Sequence, residues 1–338
     1  MNAHAVPPVP PPIADITFRL WRGLEELPGM LAALLAAAAH DNIRRYDTLD
    51  GLMTTYTHLD NCDPATDLLI AEREGTTIAY VRCYWIRETS GHLQLNLISF
   101  LAPPARDTGC QRAMLRWGEE RLRAIAAGLP AGGEPAIYLW ADDTQQELHA
   151  VLAAEAFQAI RYGNLLTRPA IASATHPLPV APLPAGIELR SPTPADYRRI
   201  WEAETEAFLD HWGARQPTDN DYVIWRQNDT FQPRYWTVAW DLASGEVAGS
   251  ILGYIDEEEN RTEGYLRGWT ENITVRRPWL RRGLARAMLV HNIGLMAAAG
   301  MTEVALGVDV DNPNGAFALY TSLGFVRVRY TVGYQKKL

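Results

Sequence analysis

The chain has 338 residues, a formal net charge of -9 and 47% hydrophobic residues. This length exceeds that of a typical single domain and suits two domains, each with its own core. The acidic balance disfavours binding along a nucleic-acid backbone, and the absence of a long apolar run disfavours a membrane span, so we expect neither partner. Three cysteines without CxxC spacing indicate neither a disulfide framework nor a metal site.

Two proline-rich segments divide the chain. Residues 1–15 contain five prolines and lack the basic and apolar regions of a secretory signal, which predicts an extended, poorly packed lead-in and a cytoplasmic location. Residues 169–186 contain five more prolines and almost no charge. They predict a semi-extended linker rather than packed structure, with one domain at 16–168 and a second at 187–338.

The two halves repeat one pattern in the same order. Each opens with a strand-like stretch, at Ile16 and at Ile187, followed by a helical pattern and a hairpin. A strand, a proline, a short loop, a glycine and a long helix come next, with Gly109 aligned to Gly283, and each half closes on strand, helix and strand. This duplication predicts two tandem α/β (α+β) domains, each a mixed, mostly antiparallel sheet flanked by helices.

The segment NITVRRPWLRRGLARAML, which begins at Asn272, carries the strongest chemical signal. A strand that enters a helix near Leu284 through a basic loop directs free backbone N–H groups at one point, which favours a pyrophosphate ligand. Gly283 allows close approach of the backbone, and the small Ala285 keeps the first turn open. The loop arginines could add charge-assisted contacts, or could form a solvated helix face: Arg276, Arg277, Arg281, Arg282 and Arg286.

This segment resembles motif A of the GNAT superfamily of N-acetyltransferases, a [Q/R]-x-x-G-x-[G/A] loop that binds the pyrophosphate of coenzyme A. The glycine and alanine of the motif match, whereas Leu280 departs from the usual Gln or Arg. The tandem layout with a degenerate first half is similar to that of two-domain GNAT proteins of the mycothiol synthase type. The resemblance implies acetyl-CoA as the acyl donor, bound at residues 281–286 and at the backbone groups of Ile273, Thr274 and Val275.

A second stretch, DNPNGAFALYTSLGF, resembles the family's N-x-x-A-x-x-x-Y-x-x-x-G-F signature. In this chain the signature positions are Asn312, Ala316, Tyr320, Gly324 and Phe325. The resemblance places Asn312 and Ala316 near the cofactor and the Tyr320 hydroxyl at its sulfur.

Acetyl transfer to an amine requires a base for the amine and an acid for the departing thiolate. Tyr320 is the candidate acid, with a tyrosine that only anchors its helix in the core as the alternative. Glu271, expected at the start of a strand and on the same face as Ile273, is the candidate base, because an unpaired carboxylate in an apolar strand is costly to bury. Asp309 and Asp311 are the other candidate bases, and a salt bridge to an arginine is the structural alternative.

The acceptor site is predicted from ETEAFLDHWG. Its aromatic and acidic residues would suit a cationic amine, with Phe208, His211 and Trp212, together with Asp309, as candidate substrate contacts. A Phe and a Trp near a helix end are also common in cores.

The first copy lacks the proposed proton-transfer groups. Leu97 aligns with Glu271 and Leu152 with Tyr320, although Arg106 and Gly109 of the loop are retained. We therefore expect an acetyl-CoA-dependent N-acetyltransferase of a small-molecule primary amine, active in its C-terminal domain. The alternatives are a non-catalytic acyl-CoA sensor and a transferase of a longer acyl group.

Overall fold

A computed structural model describes residues 6–130, 132–173, 177–209, 211–310 and 315–338. The chain forms two compact units, Met1–Arg161 with Thr331–Leu338, and Tyr162–Tyr330. These units differ from the sequence boundaries in two places. Residues 163–168 pair with a strand of the second unit, and residues 331–337 pair with a strand of the first.

The first unit is a mixed sheet with helices. Its elements are β1 (Ile16–Leu20), α1 (Leu27–His40), α2 (Leu49–Thr57), α3 (Pro64–Asp67), β2 (Leu68–Arg73), β3 (Thr76–Arg87), β4 (Leu93–Leu101), α4 (Cys110–Gly128), β5 (Ala136–Asp142), α5 (Gln146–Ala154) and the start of β6 (Gln158–Arg168). Strands β1 to β4 pair antiparallel in sequence order. The hairpin predicted from the Glu-Gly turn is β2–β3, and Glu74 and Gly75 both have positive φ at its tip.

The second unit repeats this arrangement. Its elements are β7 (Ile187–Leu189), α6 (Tyr197–Phe208), α7 (Asp219–Gln227), β8 (Trp236–Asp241), β9 (Val247–Leu252), α8 (Glu257–Glu263), β10 (Arg267–Trp269), β11 (Thr274–Val275), α9 (Leu284–Ala298), β12 (Glu303–Asp309), α10 (Ala316–Ser322) and most of β13 (Val326–Lys337). The predicted β8–β9 hairpin and the helix start at Leu284 are both present. The predicted α/β fold is confirmed.

Backbone geometry matches between the units in detail. Gly109 and Gly283 precede α4 and α9 with φ of 84° and 81°. Two residues earlier, Asp107 and Arg281 both have positive φ, 54° and 59°. Since a left-handed conformation is rare for non-glycine residues, its recurrence at aligned positions shows that both loops have the same shape.

Each unit contains two parallel strands that are hydrogen-bonded over only three residues and then separate. In the first unit β4 pairs with β5 over Gln94–Asn96 and Ala136–Tyr138. In the second, β10 pairs with β12 over three residues, and the chain then turns so that Thr274 and Val275 pair with β9 instead. A V-shaped cleft opens where the pairing stops.

The linker is packed, contrary to the prediction from its prolines. Ile171 is buried in the core of the second unit, and Leu178 and Leu183 pack against the same core. The described parts of 169–186 contain no helix or strand. Burial of the apolar side chains between the prolines is more favourable in free energy than leaving them exposed to water in an extended segment.

The described residues contain no helix long and apolar enough to cross a bilayer. Cys83 and Cys110 are buried free thiols and Cys62 is a partly buried one. The candidates Asp311 and Asn312 lie outside the described residues.

Candidate active site

The cleft of the second unit begins with a break in strand geometry at Asn272. Asn272 has φ of 49°, so the period-two alternation expected from Glu271 to Val275 does not hold, and the regular strand starts only at Thr274. The Glu271 carbonyl still accepts a hydrogen bond from the Leu252 N–H at 2.9 Å. A left-handed residue turns the chain out of its ladder, which leaves backbone groups of the following residues available to a ligand.

The neighbouring strand approaches this segment very closely. A Cβ built on Gly249 would lie 2.5 Å from the Thr274 carbonyl oxygen, so only glycine fits there. The hydroxyls of Ser250 and Thr274 share a hydrogen bond of 3.0 Å. These contacts fix β11 against β9 and hold the cleft open on its other side.

The loop that follows is anchored by a buried tryptophan. The Trp279 indole N–H donates to the Asp241 carboxylate at 3.0 Å, and its ring is buried. Gly283 then begins α9 without any side-chain cap, so the amides of the first turn are free to bind an anion. A Cβ on Gly283 would meet nothing within 4 Å, so the glycine is required by its φ of 81° rather than by lack of space.

A cavity of about 480 Å³ fills the cleft. Most of the residues predicted from the loop and the second signature line it: Ile273, Thr274, Val275, Arg281, Gly283, Leu284, Ala285, Arg286, Ala316 and Tyr320. The strand, the helix N-terminus and the C-terminal helix therefore meet at one site, as the predicted phosphate loop requires.

Not every loop arginine faces the cavity. Arg282 donates to the Ala185 carbonyl at 3.1 Å, and Arg276 forms an ion pair with Glu206 at 2.6 Å. Arg286 lines the cavity and also donates to the Ser322 hydroxyl at 2.7 Å. Of the arginine cluster, Arg281 and Arg286 line the cavity, whereas Arg276 and Arg282 have structural partners elsewhere.

Glu271 and Tyr320 are electrostatically coupled. Glu271 is half-buried, and its carboxyl accepts a hydrogen bond from the Gly307 N–H at 2.8 Å. Burial raises the pKa of this carboxyl to about 7, and hydrogen bonds from the Gly307 and Asn272 N–H groups oppose the shift. Burial, and then the charge of Glu271, raise the pKa of Tyr320 above its ordinary value. The base candidate therefore titrates near neutrality, and the tyrosine stays protonated.

The predicted acceptor residues are distributed over different surroundings. His211 lines the cavity, and its ring lies 4.8 Å from that of Phe208, which lines a second, smaller cavity. Trp212 is 37% exposed. Asp309 ends β12 in a partly buried position.

The sequence analysis missed several cavity residues. Ala207, Trp279, Leu280 and Leu319 also line the cleft. Ala207 lies on α6 only four residues before the predicted contact His211, and this closeness in sequence was a signal that could have identified it. The others are apolar and could not be distinguished from core residues by pattern.

The first unit contains a smaller cavity of about 210 Å³ at the corresponding place. Leu97 and Leu152 are buried where the second unit has Glu271 and Tyr320. The alignment of Leu152 is supported by a repeated contact, since the Phe157 N–H donates to the Leu152 carbonyl as the Phe325 N–H does to that of Tyr320.

Residues 197–325 match the sequence profile of the Acetyltransferase (GNAT) family. Over this segment the chain is similar to GNAT acetyltransferases. It is 28% identical over 337 residues to the mycothiol acetyltransferase of Clavibacter michiganensis subsp. michiganensis, covering 99% of this chain and 100% of that protein.

Solved structures of GNAT proteins share the fold. A GCN5-related N-acetyltransferase from Sphaerobacter thermophilus superposes with a TM-score of 0.68 at 22% identity, covering 96% of each chain. A tandem GNAT protein from the clavulanic acid biosynthesis pathway gives a TM-score of 0.62 at 17% identity, covering 95% of this chain and 98% of that one. The tandem GNAT architecture predicted from the repeat is therefore confirmed, and GNAT acetyltransferases of this kind use acetyl-CoA as the donor.

Proposed function

We propose that the C-terminal domain transfers an acetyl group directly from acetyl-CoA to a primary amine of a small molecule. Glu271 serves as the general base and Tyr320 as the general acid. The observation that carries the proposal is that Tyr320 lines the cleft together with the uncapped N-terminus of α9, and lies close enough to Glu271 for that charge to raise its pKa. The relatives' name makes a mycothiol-related amine the first acceptor to test.

Donor binding follows from the backbone. The free amides at the start of α9 would hold the pyrophosphate, with Arg281 and Arg286 adding positive charge. The pantetheine arm would lie along Ile273, Thr274 and Val275, where β11 has left β12.

The proton transfers follow from the two shifted pKa values. Glu271, directly or through water, takes a proton from the ammonium form of the acceptor, and the neutral nitrogen attacks the thioester carbonyl. The tetrahedral intermediate collapses with cleavage of the C–S bond, Tyr320 gives its proton to the departing sulfur, and the excess proton of the attacking nitrogen then restores the neutral phenol of Tyr320. A base with a pKa near 7 suits this role, because both of its protonation states are populated at neutral pH. The remaining proton returns to solvent from Glu271.

The donor site is tested by calorimetric titration of acetyl-CoA into the wild type, Gly283→Glu and Gly109→Glu. Both glycines have φ above 80° and open space around the Cβ position, so the two substitutions cause the same backbone strain. We expect Gly283→Glu to abolish binding, because a carboxylate would occupy the anion site, and Gly109→Glu to retain it.

Two results would contradict the proposal. Binding that survives in Gly283→Glu and is lost in Gly109→Glu would move the donor site to the first unit. Binding by the wild type without transfer to any amine in a mass-spectrometric screen would favour an acyl-CoA sensor.

A further inference from the structure

A second cavity of about 170 Å³ lies along α6 in the C-terminal unit. Its walls include Trp201, Glu204, Phe208, Arg215 and Trp225. At roughly 30 Å³ for each water-sized group, it has room for about five non-hydrogen atoms. The cavity can therefore hold part of a ligand, such as an ammonium group and its attached methylenes.

Glu204 is the unusual member of this lining. The residue is only 6% exposed, and its Oε2 atom has no hydrogen-bond partner among the described residues. Burial alone raises the pKa of the carboxyl to about 8. A buried carboxyl without a partner is costly unless a ligand supplies the missing charge or donor.

The positive side chains near Glu204 are already paired with other carboxylates. Arg215 donates to the Asp221 carboxylate at 2.8 Å. Arg198, which lies over the Trp201 ring, donates to Glu202 and Asp219 at 2.8 and 3.0 Å. The protein itself therefore does not neutralise Glu204, and the surrounding rings of Phe208 and Trp225 favour a positive ligand.

The same helix connects this cavity to the donor cleft. Ala207 of α6 lines the cleft, as does His211 just beyond the helix, whereas Glu204 and Phe208 of α6 line the second cavity. Residues three apart on a helix have Cβ atoms about 5–6 Å from each other. The two cavities thus occupy adjacent faces of α6, within reach of one small molecule.

We propose that the Glu204 cavity binds a second positive group of the acceptor, an alkylammonium distinct from the amine that is acetylated. The two groups must be distinct because the attacking nitrogen has to be neutral, whereas Glu204 selects a group that keeps its charge. This inference rests on the proposed function, and it assigns the acceptor to the class of small diamines and polyamines.

The test compares 1,4-diaminobutane with n-butylamine, which differ only by the second amine. We expect the wild type to have a kcat/KM at least about tenfold higher for the diamine. Glu204→Gln should reduce this ratio to near one, since it keeps the shape and removes the carboxyl that ionises to pair with the ammonium group. Glu202→Gln, which makes the same change on the exposed face of α6, should leave the ratio unaltered, and Glu204→Asp should restore part of it.

Binding of both amines is also measured by calorimetry in the presence of coenzyme A, which needs no turnover. Equal affinity of the wild type for the two amines, or an unchanged ratio in Glu204→Gln that still binds acetyl-CoA, would overturn the inference. Preferential diamine binding without any acetyl transfer would instead contradict the proposed function and support the cavity's specificity. Because the wild-type comparison is decisive by itself, a variant that fails to fold does not leave the question open.

Discussion

At the scale of single residues, the site depends on two side chains whose environments shift their pKa values. Glu271 receives two backbone N–H groups yet still has its pKa raised to about 7, because burial outweighs those hydrogen bonds. Tyr320 is buried beside that carboxyl, and its phenol is kept neutral. One group is ready to accept a proton near neutrality and the other to donate one.

Replacing Tyr320 by Phe should lower kcat at least about tenfold, because the thiolate would leave without a proton donor. Acetyl-CoA affinity should change little, since the ring and its packing against Phe325 are retained. Steady-state kinetics and calorimetry on one preparation measure both effects. Unchanged turnover would remove Tyr320 from its catalytic role.

The pH profile should identify Glu271 as the base. Since the base acts when ionised, kcat/KM should rise with pH and level off above about 7. Glu271→Gln should lower kcat about 100-fold and eliminate the rise of kcat/KM with pH. If kcat/KM of the variant still rises with pH, another group is the base, and Asp309 is the first to examine.

Burial of Glu271 also affects stability. Its folded pKa lies above the unfolded value, so the folded state binds the proton more tightly and loses relative stability as pH rises from about 4.5 to about 7. The free energy of unfolding of Glu271→Gln should therefore change less with pH than that of the wild type between about pH 4.5 and 7. Urea denaturation at several pH values measures this difference. Parallel pH dependences of the two proteins would contradict the assigned pKa.

At the scale of secondary-structure elements, the left-handed residue at Asn272 distinguishes the cleft of the second unit from the corresponding strand of the first unit. There, β4 continues from Leu93 to Leu101 in unbroken register with β3, with Ile98 at the aligned position. Asn tolerates the left-handed conformation better than β-branched residues do. One residue type thus permits the turn that frees the backbone after Glu271.

Asn272→Ile should destabilise the domain by about 1–2 kcal/mol and weaken acetyl-CoA binding, because a β-branched residue resists φ of 49°. Asn272→Gly should retain binding, since glycine adopts this conformation without strain. Urea denaturation and calorimetry on the pair separate the conformational effect from loss of the amide. Equal loss of donor binding in both variants would show that the Asn side chain itself is required.

At the scale of the whole molecule, two copies of one fold have diverged around one loop. Arg106 occupies the position of the motif's usual Gln or Arg, yet its guanidinium is buried against Asp41 at 2.8 Å and also donates to the Leu101 carbonyl at 2.9 Å. The second unit has Leu280 there, and its loop lines the larger cavity. Arg106, which matches the motif better, thus stabilises the fold of the first unit, whereas Leu280, which departs from the motif, lies at the proposed donor site.

Arg106→Leu should cost about 3–5 kcal/mol, because Asp41 would be left as an uncompensated buried charge. Arg116→Leu provides a control, since Arg116 is exposed in its pair with Glu155 and should cost less than about 1 kcal/mol. Urea denaturation measures both. If both variants lose little unfolding free energy, water solvates the Asp41 carboxylate once Arg106 is removed.

The sequence by itself determined the duplication, the hairpins, the glycine before α9 and the resemblance to GNAT acetyltransferases, because local periodicity, turn chemistry and a backbone-dependent loop leave direct traces in residue order. It also selected Glu271, Tyr320 and most of the residues that line the cleft. Only the tertiary structure decided that residues 331–337 pair in the first unit, that the linker is packed, and that Arg276 and Arg282 have structural partners. The buried Glu204 Oε2 atom, which lacks a hydrogen-bond partner among the described residues, likewise became visible only in three dimensions. Strand exchange, ion pairing and burial depend on contacts between residues far apart in the chain, and those contacts exist only once the chain has folded.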